Sequence, residues 1–105
     1  IIGTLSTEEE LIPDQFALHQ NFPNPFNPTT TIRYDLPNKE DVSIVIFDVV
    51  GREIRSLVNQ YQSPGYHRIQ WDAKNDSGEP VSAGMYIYTI SAGEHRSVKK
   101  MVLLK

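Results

Sequence analysis

Apolar and polar residues alternate with a period of two along most of this chain, the spacing of half-buried strands. A short alternation begins at Phe16, Leu18 and Gln20. The run over 29–36, Thr-Thr-Thr-Ile-Arg-Tyr-Asp-Leu, reads as a strand, and Pro37-Asn38-Lys39-Glu40-Asp41 after it as a turn. In 42–50, Val42, Ile44 and Ile46 share one face while Val45, Phe47 and Val49 share the other. Apolar residues on both faces predict a central strand, or an outer face that something covers. Gly51-Arg52 breaks the pattern, and a weaker strand follows in which Ile54, Leu57 and Val58 keep register only through a bulge. After the turn Ser63-Pro64-Gly65, residues 66–73 set His67, Ile69 and Trp71 against Tyr66, Arg68 and Gln70. Residues 72–84 are rich in turn formers. Then 85–91 set Tyr86, Tyr88 and Ile90 against Met85, Ile87 and Thr89, and a last strand runs over 95–105. About seven strands with turns every 8–12 residues, and no helical period, predict an all-β, Ig-like antiparallel β-sandwich. Ile44, Ile46, Ile69, Trp71, Tyr86 and Ile90 are expected inside it.

One stretch does not alternate. Asn21-Phe22-Pro23-Asn24-Pro25-Phe26-Asn27-Pro28 packs three prolines, three asparagines and two phenylalanines into eight residues. Proline fixes its own φ and drives its predecessor to extended geometry, and asparagine bonds locally. The octet therefore reads as a stiff clasp at the entry to the sandwich, with Phe22 and Phe26 both expected to be pinned onto apolar surface. Before it, residues 1–15 carry Glu8-Glu9-Glu10 and Pro13 without periodicity and read as a linker from an upstream cargo domain. The folded domain is assigned to 16–105.

Composition narrows the chemistry. The 105 residues suit one domain, 39% hydrophobic content supports a core, and a net charge of −3 with scattered signs leaves no nucleic-acid footprint. No apolar run reaches a membrane span, and the absence of cysteine removes disulfides and thiolate metal sites. The chain starts at Ile1 rather than methionine, as a piece of a longer protein would. His19, His67 and His95 lack ligand spacing. The loop Asp72-Ala73-Lys74-Asn75-Asp76-Ser77-Gly78 places Lys74 where a calcium ligand belongs, so it reads as a turn. No nucleophile motif is present, and Asp48, Asp72 and Asp76 sit at strand ends where aspartate turns the chain. No catalytic residue, metal or cofactor is assigned. Trp71 reads as core, and Tyr86 as the tyrosine that braces a corner of an Ig-like sandwich through its hydroxyl. The ending Lys99-Lys100-Met101-Val102-Leu103-Leu104-Lys105 is compatible with two readings, an edge strand protected by lysines or a segment that another protein grips.

Several of these stretches carry a family resemblance. Gln20 and the octet with Thr-Thr-Thr-Ile-Arg-Tyr, Ile46-Phe47-Asp48, Gly51-Arg52-Glu53, Gly65-Tyr66-His67, Trp71-Asp72, Gly84-Met85-Tyr86-Ile87-Tyr88 and the ending over 99–105 resemble, in order, the type A C-terminal sorting domains of the bacterial type IX secretion system. These overlap the Ig-like family named after the flagellar hook-capping protein. Phe22 stands where that family often has tyrosine, and Ala73 where glycine is frequent, so the loop after Trp71 is open to a different shape. The resemblance implies a non-catalytic address that ends a secreted protein of Bacteroidetes-like bacteria. It also implies passage through the periplasm to the cell surface or beyond. The implied partners are the cargo in the same full-length chain, the type IX translocon and a sortase-like surface peptidase, with cleavage before the clasp. By position it assigns recognition to Gly84, Tyr86, Lys99, Lys100, Met101, Val102, Leu103, Leu104 and Lys105. β-Augmentation of a free terminal strand, helped by two lysines, is the expected mode. The rival is an accessory module of a secreted hydrolase, either structural or carbohydrate-binding. The carbohydrate-binding form requires coplanar exposed aromatics, for which Tyr61, Tyr66 and Trp71 are the candidates.

Overall fold

A computed structural model describes residues 12–104. The segment over 1–11, with most of the expected linker and its processing site, lies outside the described residues, as does Lys105. The alternation resolves into seven strands: β1 (Ala17–Leu18), β2 (Thr30–Leu36), β3 (Glu40–Asp48), β4 (Glu53–Gln62), β5 (Gly65–Trp71), β6 (Gly84–Ala92) and β7 (His95–Leu103). They form two antiparallel sheets, of order β1-β2-β5 and β4-β3-β6-β7.

The inner faces meet as the period-two pattern requires. Ile32, Tyr34 and Leu36 of β2 and Trp71 of β5 face Val42, Ile44 and Ile46 of β3, Tyr86, Tyr88 and Ile90 of β6, and Met101 and Leu103 of β7, all buried. Ile69 packs on this core from a half-buried position. Fully burying one such aliphatic side chain contributes roughly 1.5–3 kcal/mol. Trp71 sits between Phe26, with ring centroids 5.8 Å apart, and Tyr86, 5.4 Å away and edge-on. Its indole N–H donates to the Lys74 carbonyl at 2.9 Å, so the buried nitrogen is satisfied. The Tyr86 hydroxyl donates to the Ser82 carbonyl at 2.6 Å, which is the corner brace read from the sequence.

The spacing problem in β4 is solved by two register shifts against β3, between Ile44 and Val45 and between Ile46 and Phe47. The loop after Trp71 places Ala73, 2% exposed, at φ 63°, a left-handed conformation that glycine adopts freely and alanine at a cost. Ala73 thus holds a backbone conformation that suits glycine better than alanine. In the following turn Asn75 Oδ1 accepts from the amides of Ser77 and Glu79, and Asp76 Oδ1 from Ser56, so these oxygens tie the loop together.

Residues 12–15 form no strand, yet Pro13 is buried. Of the described end of the expected linker, Pro13 alone is packed, while Ile12, Asp14 and Gln15 are exposed. The chain then pairs only briefly with β2 before crossing toward β7 through the octet.

Candidate functional site

The clasp and the terminal strand are one assembly. Its anchor is Tyr88, near the middle of β6, whose hydroxyl accepts from the Asn21 amide at 2.7 Å and donates to the His19 carbonyl at 2.8 Å. Burial pushes this phenol up to about 12, against a smaller opposite pull from the Asn21 N–H. Asn21 is itself 2% exposed. Its Nδ2 donates to the Pro23 carbonyl and to Thr30 Oγ1, which in turn donates to Pro23. The loop is closed by local asparagine bonding, and no buried side-chain polar atom among the described residues lacks a partner.

From this anchor the octet reaches the outer edge of β7. The Val102 amide donates to Asn24 Oδ1 at 3.0 Å, the Phe26 amide to the Val102 carbonyl at 3.0 Å, and the Leu104 amide to the Phe26 carbonyl at 2.8 Å. Gln20 Nε2 donates to the Lys100 carbonyl at 2.7 Å. Phe26 thus pairs in parallel with Leu103, its ring 1% exposed against Trp71.

Two expectations are corrected here. Phe22 is 75% exposed, because its antiparallel bridge to Thr31 turns the ring onto the solvent face of the three-stranded sheet. The backbone edge of the terminal segment is not free for strand addition, since the clasp fills its acceptors and donors from Lys100 to Leu104. An incoming strand finds open edge only nearer His95, at Arg96 and Val98, which alternate outward with Lys100 and Val102.

The proposed recognition residues divide by face. Met101 and Leu103 are buried, and Lys99 lies half-buried on the same side, opposite Tyr88. Lys100 is exposed on the other side with Val98, 62% exposed, and the half-buried Val102. Leu104 is 51% exposed past the end of β7. Tyr86 belongs to the core, and its phenol is raised by burial first and by the nearby Asp48 second. Gly84 opens β6 opposite Leu103 at φ 144°, with open space around its Cα, so a side chain there meets backbone strain rather than a clash.

Register rows extend the Lys100 face across the sheet. Lys100 is opposite Ile87, which is opposite Phe47, while Val98 is opposite Thr89 and then Val45, and Val102 is opposite Met85. The two-sided pattern of β3 thus belongs to an interior strand of its sheet, and on this outer face Val45, Phe47 and Ile87 are half-buried while Met85 and Val98 are exposed.

The other candidates separate. Trp71 is 0% exposed, and Tyr61 and Tyr66 lie on β4 and β5 of different sheets, so no aromatic platform forms. His19 bonds Asp35, His67 bonds the Ser63 carbonyl beneath Tyr34, and His95 stacks on Phe16 with ring centroids 4.6 Å apart. Among the described residues no group of three or more metal-ligating side chains gathers, and no helix is long and apolar enough to cross a membrane.

Comparison with known proteins places this arrangement. The chain resembles a segment of dimeric latent PorU from Porphyromonas gingivalis, at 24% identity and a TM-score of 0.65, over 88% of this chain and 10% of that one. It also resembles a segment of PorZ, an essential surface component of the type IX secretion system of the same bacterium, at 19% identity and a TM-score of 0.57, over 98% of this chain and 13% of that one. These likenesses are of fold, and the chain spans about a tenth of the length of either protein. No curated protein matches it. The family described as the FlgD Ig-like domain matches residues 26–96. With that stretch running from the end of the clasp into β7, the chain belongs to the FlgD Ig-like domain family.

Proposed function

We propose that this chain is a non-catalytic C-terminal sorting domain, which directs an attached protein across the outer membrane by the type IX secretion system and is cleaved off at the cell surface. The observation that carries the reading is the terminal strand. β7 holds Met101 and Leu103 inward, is locked along its edge by the clasp, and still presents Lys100 outward between Val98 and Val102, at the border of a partly apolar face. A module of this kind is stable and unreactive, and offers a partner one charged, partly apolar surface. The ordered motifs shared with type A sorting domains support the same reading, as does a fold shared with a surface component of that secretion system. Recognition then works through the outer face of β7 rather than by strand addition along 100–104.

The test uses residues 1–105 fused to a reporter in a host with the secretion system, scoring surface against periplasmic reporter and thermal unfolding of the purified domain. Lys100→Glu is expected to block export while leaving the melting temperature nearly unchanged, since surface changes stay within ~0.5 kcal/mol. Lys99→Ala, on the other face, should export normally. Removing residues 101–105 should harm both stability and export, because packed Met101 and Leu103 go with the signal. Normal export of this truncation would overturn the sorting function in favour of a structural Ig-like module. Normal export of Lys100→Glu alone would remove only the assigned face.

A further inference from the structure

The outer face of the three-stranded sheet holds two like charges that the fold leaves unanswered. Arg33 of β2 and Arg68 of β5 are direct register partners and both are exposed, so their guanidinium groups rise together from one surface. Neither makes an ion pair among the described residues. The nearest carboxylate along β2, Asp35, is already engaged by His19 Nε2 at 2.9 Å. In a chain of net charge −3, this is a local cationic spot.

An exposed aromatic ring flanks the pair on each side. Phe22, 75% exposed, bridges to Thr31, and Tyr66, 60% exposed, pairs with Asp35. Thr31, Arg33 and Asp35 are successive outward positions of β2, about 7 Å apart per step. The arginines form the ridge between two shallow depressions, of about 280 Å³ on the Phe22 side and about 420 Å³ on the Tyr66 side. Exposed aromatics with arginine are the composition of protein-binding centres, and the one carboxylate lining these depressions, Asp35 on the Tyr66 side, is the one engaged by His19.

We propose that this face docks an extended acidic segment of a partner protein. A carboxylate of the segment sits between Arg33 and Arg68, where two planar forks suit it. Apolar side chains two residues to either side rest against Phe22 and Tyr66, because an extended chain repeats its side chains at the same spacing as β2. This docking stands independently of the sorting reading.

The probe is a peptide of sequence leucine–serine–glutamate–threonine–phenylalanine, blocked at both ends, titrated into the 105-residue chain and followed by amide NMR shifts. Saturable shifts are expected at Phe22, Arg33, Tyr66 and Arg68, with binding at least about tenfold weaker when glutamine replaces the glutamate. Arg33→Gln with Arg68→Gln should weaken binding by at least as much, and Arg68→Gln alone serves if the double variant does not fold. Relief of the like-charge contact should leave these variants no less stable than the parent. The proposal is overturned by absence of saturation at ~10 mM peptide, a range beyond even weak millimolar binding, or by equal binding of the glutamine peptide. Equal competition by inorganic phosphate or glucuronate overturns it too, since the face would then hold a bare anion.

Discussion

Removing a single oxygen atom, by Tyr88→Phe, should loosen the clasp from its anchor. The hydroxyl bridges the His19 carbonyl and the Asn21 amide, and the phenylalanine ring fills the same buried space without satisfying either. A buried polar group left without its partner costs about 1–3 kcal/mol. The Asn21 amide bears most of this, because its residue is 2% exposed, whereas the half-exposed His19 has water within reach. Losing the hydroxyl's own desolvation cost offsets part of the penalty, which leaves roughly 2 kcal/mol, or a fall of about 8 °C in melting temperature for a domain of this size. Urea unfolding gives the global figure, and native-state hydrogen exchange locates it. The amides of Val102 and Leu104, which bond to the clasp, should exchange faster by a larger factor than those of the β3–β6 ladder. A loss under ~0.5 kcal/mol, with Leu104 exchange unchanged, would refute the anchoring role of the hydroxyl.

Other outcomes follow from the same packing. Trp71→Ala should cost roughly 3–5 kcal/mol by urea unfolding, since the ring is fully buried between Phe26 and Tyr86; a loss under 1 kcal/mol would contradict that packing. Stability should fall between pH 10 and 12. There the unfolded chain has released its tyrosine protons while Tyr88 holds its own to about 12, a difference of ~2 kcal/mol by the upper end, in unfolding series run at stepped pH. Tyr34 and Tyr86, also raised by burial, act in the same direction, and a flat profile through that window would count against all three. Ala73→Gly should change stability by less than about 1 kcal/mol in thermal melts, because relief at φ 63° is offset by the lost buried methyl.

The strands and the core were readable because period-two alternation encodes which face is buried. Trp71, Tyr86 and Ile90 were placed inward from their neighbours alone, and the irregular spacing of Ile54, Leu57 and Val58 announced the register shifts in β4. Phe22 was misread because proline and asparagine report a stiff backbone but not its orientation; the bridge to Thr31 decides where the ring points. The sealed edge of β7 was not legible at all. It rests on bonds between residues 78 and 80 positions apart, Asn24 with Val102 and Gln20 with Lys100, and no local pattern encodes such a partner. The division between Lys99 and Lys100 is different, because the alternation itself carries it. Adjacent in sequence, they read as a pair, yet the pleat sends them to opposite faces.

The stapling of residues 20–26 to 100–104 also sets an order of events. A polypeptide made or threaded from its N-terminal side has the octet in hand long before the strand it must hold. Until then Phe26 lacks its backbone partners at Val102 and Leu104, and Trp71 lacks part of its packing. Contacts of such long range are the slow ones to form. Closure of the sandwich therefore waits on its last strand: a chain whose residues 95–103 are withheld leaves the four-stranded sheet without β7 and Phe26 without its pairing.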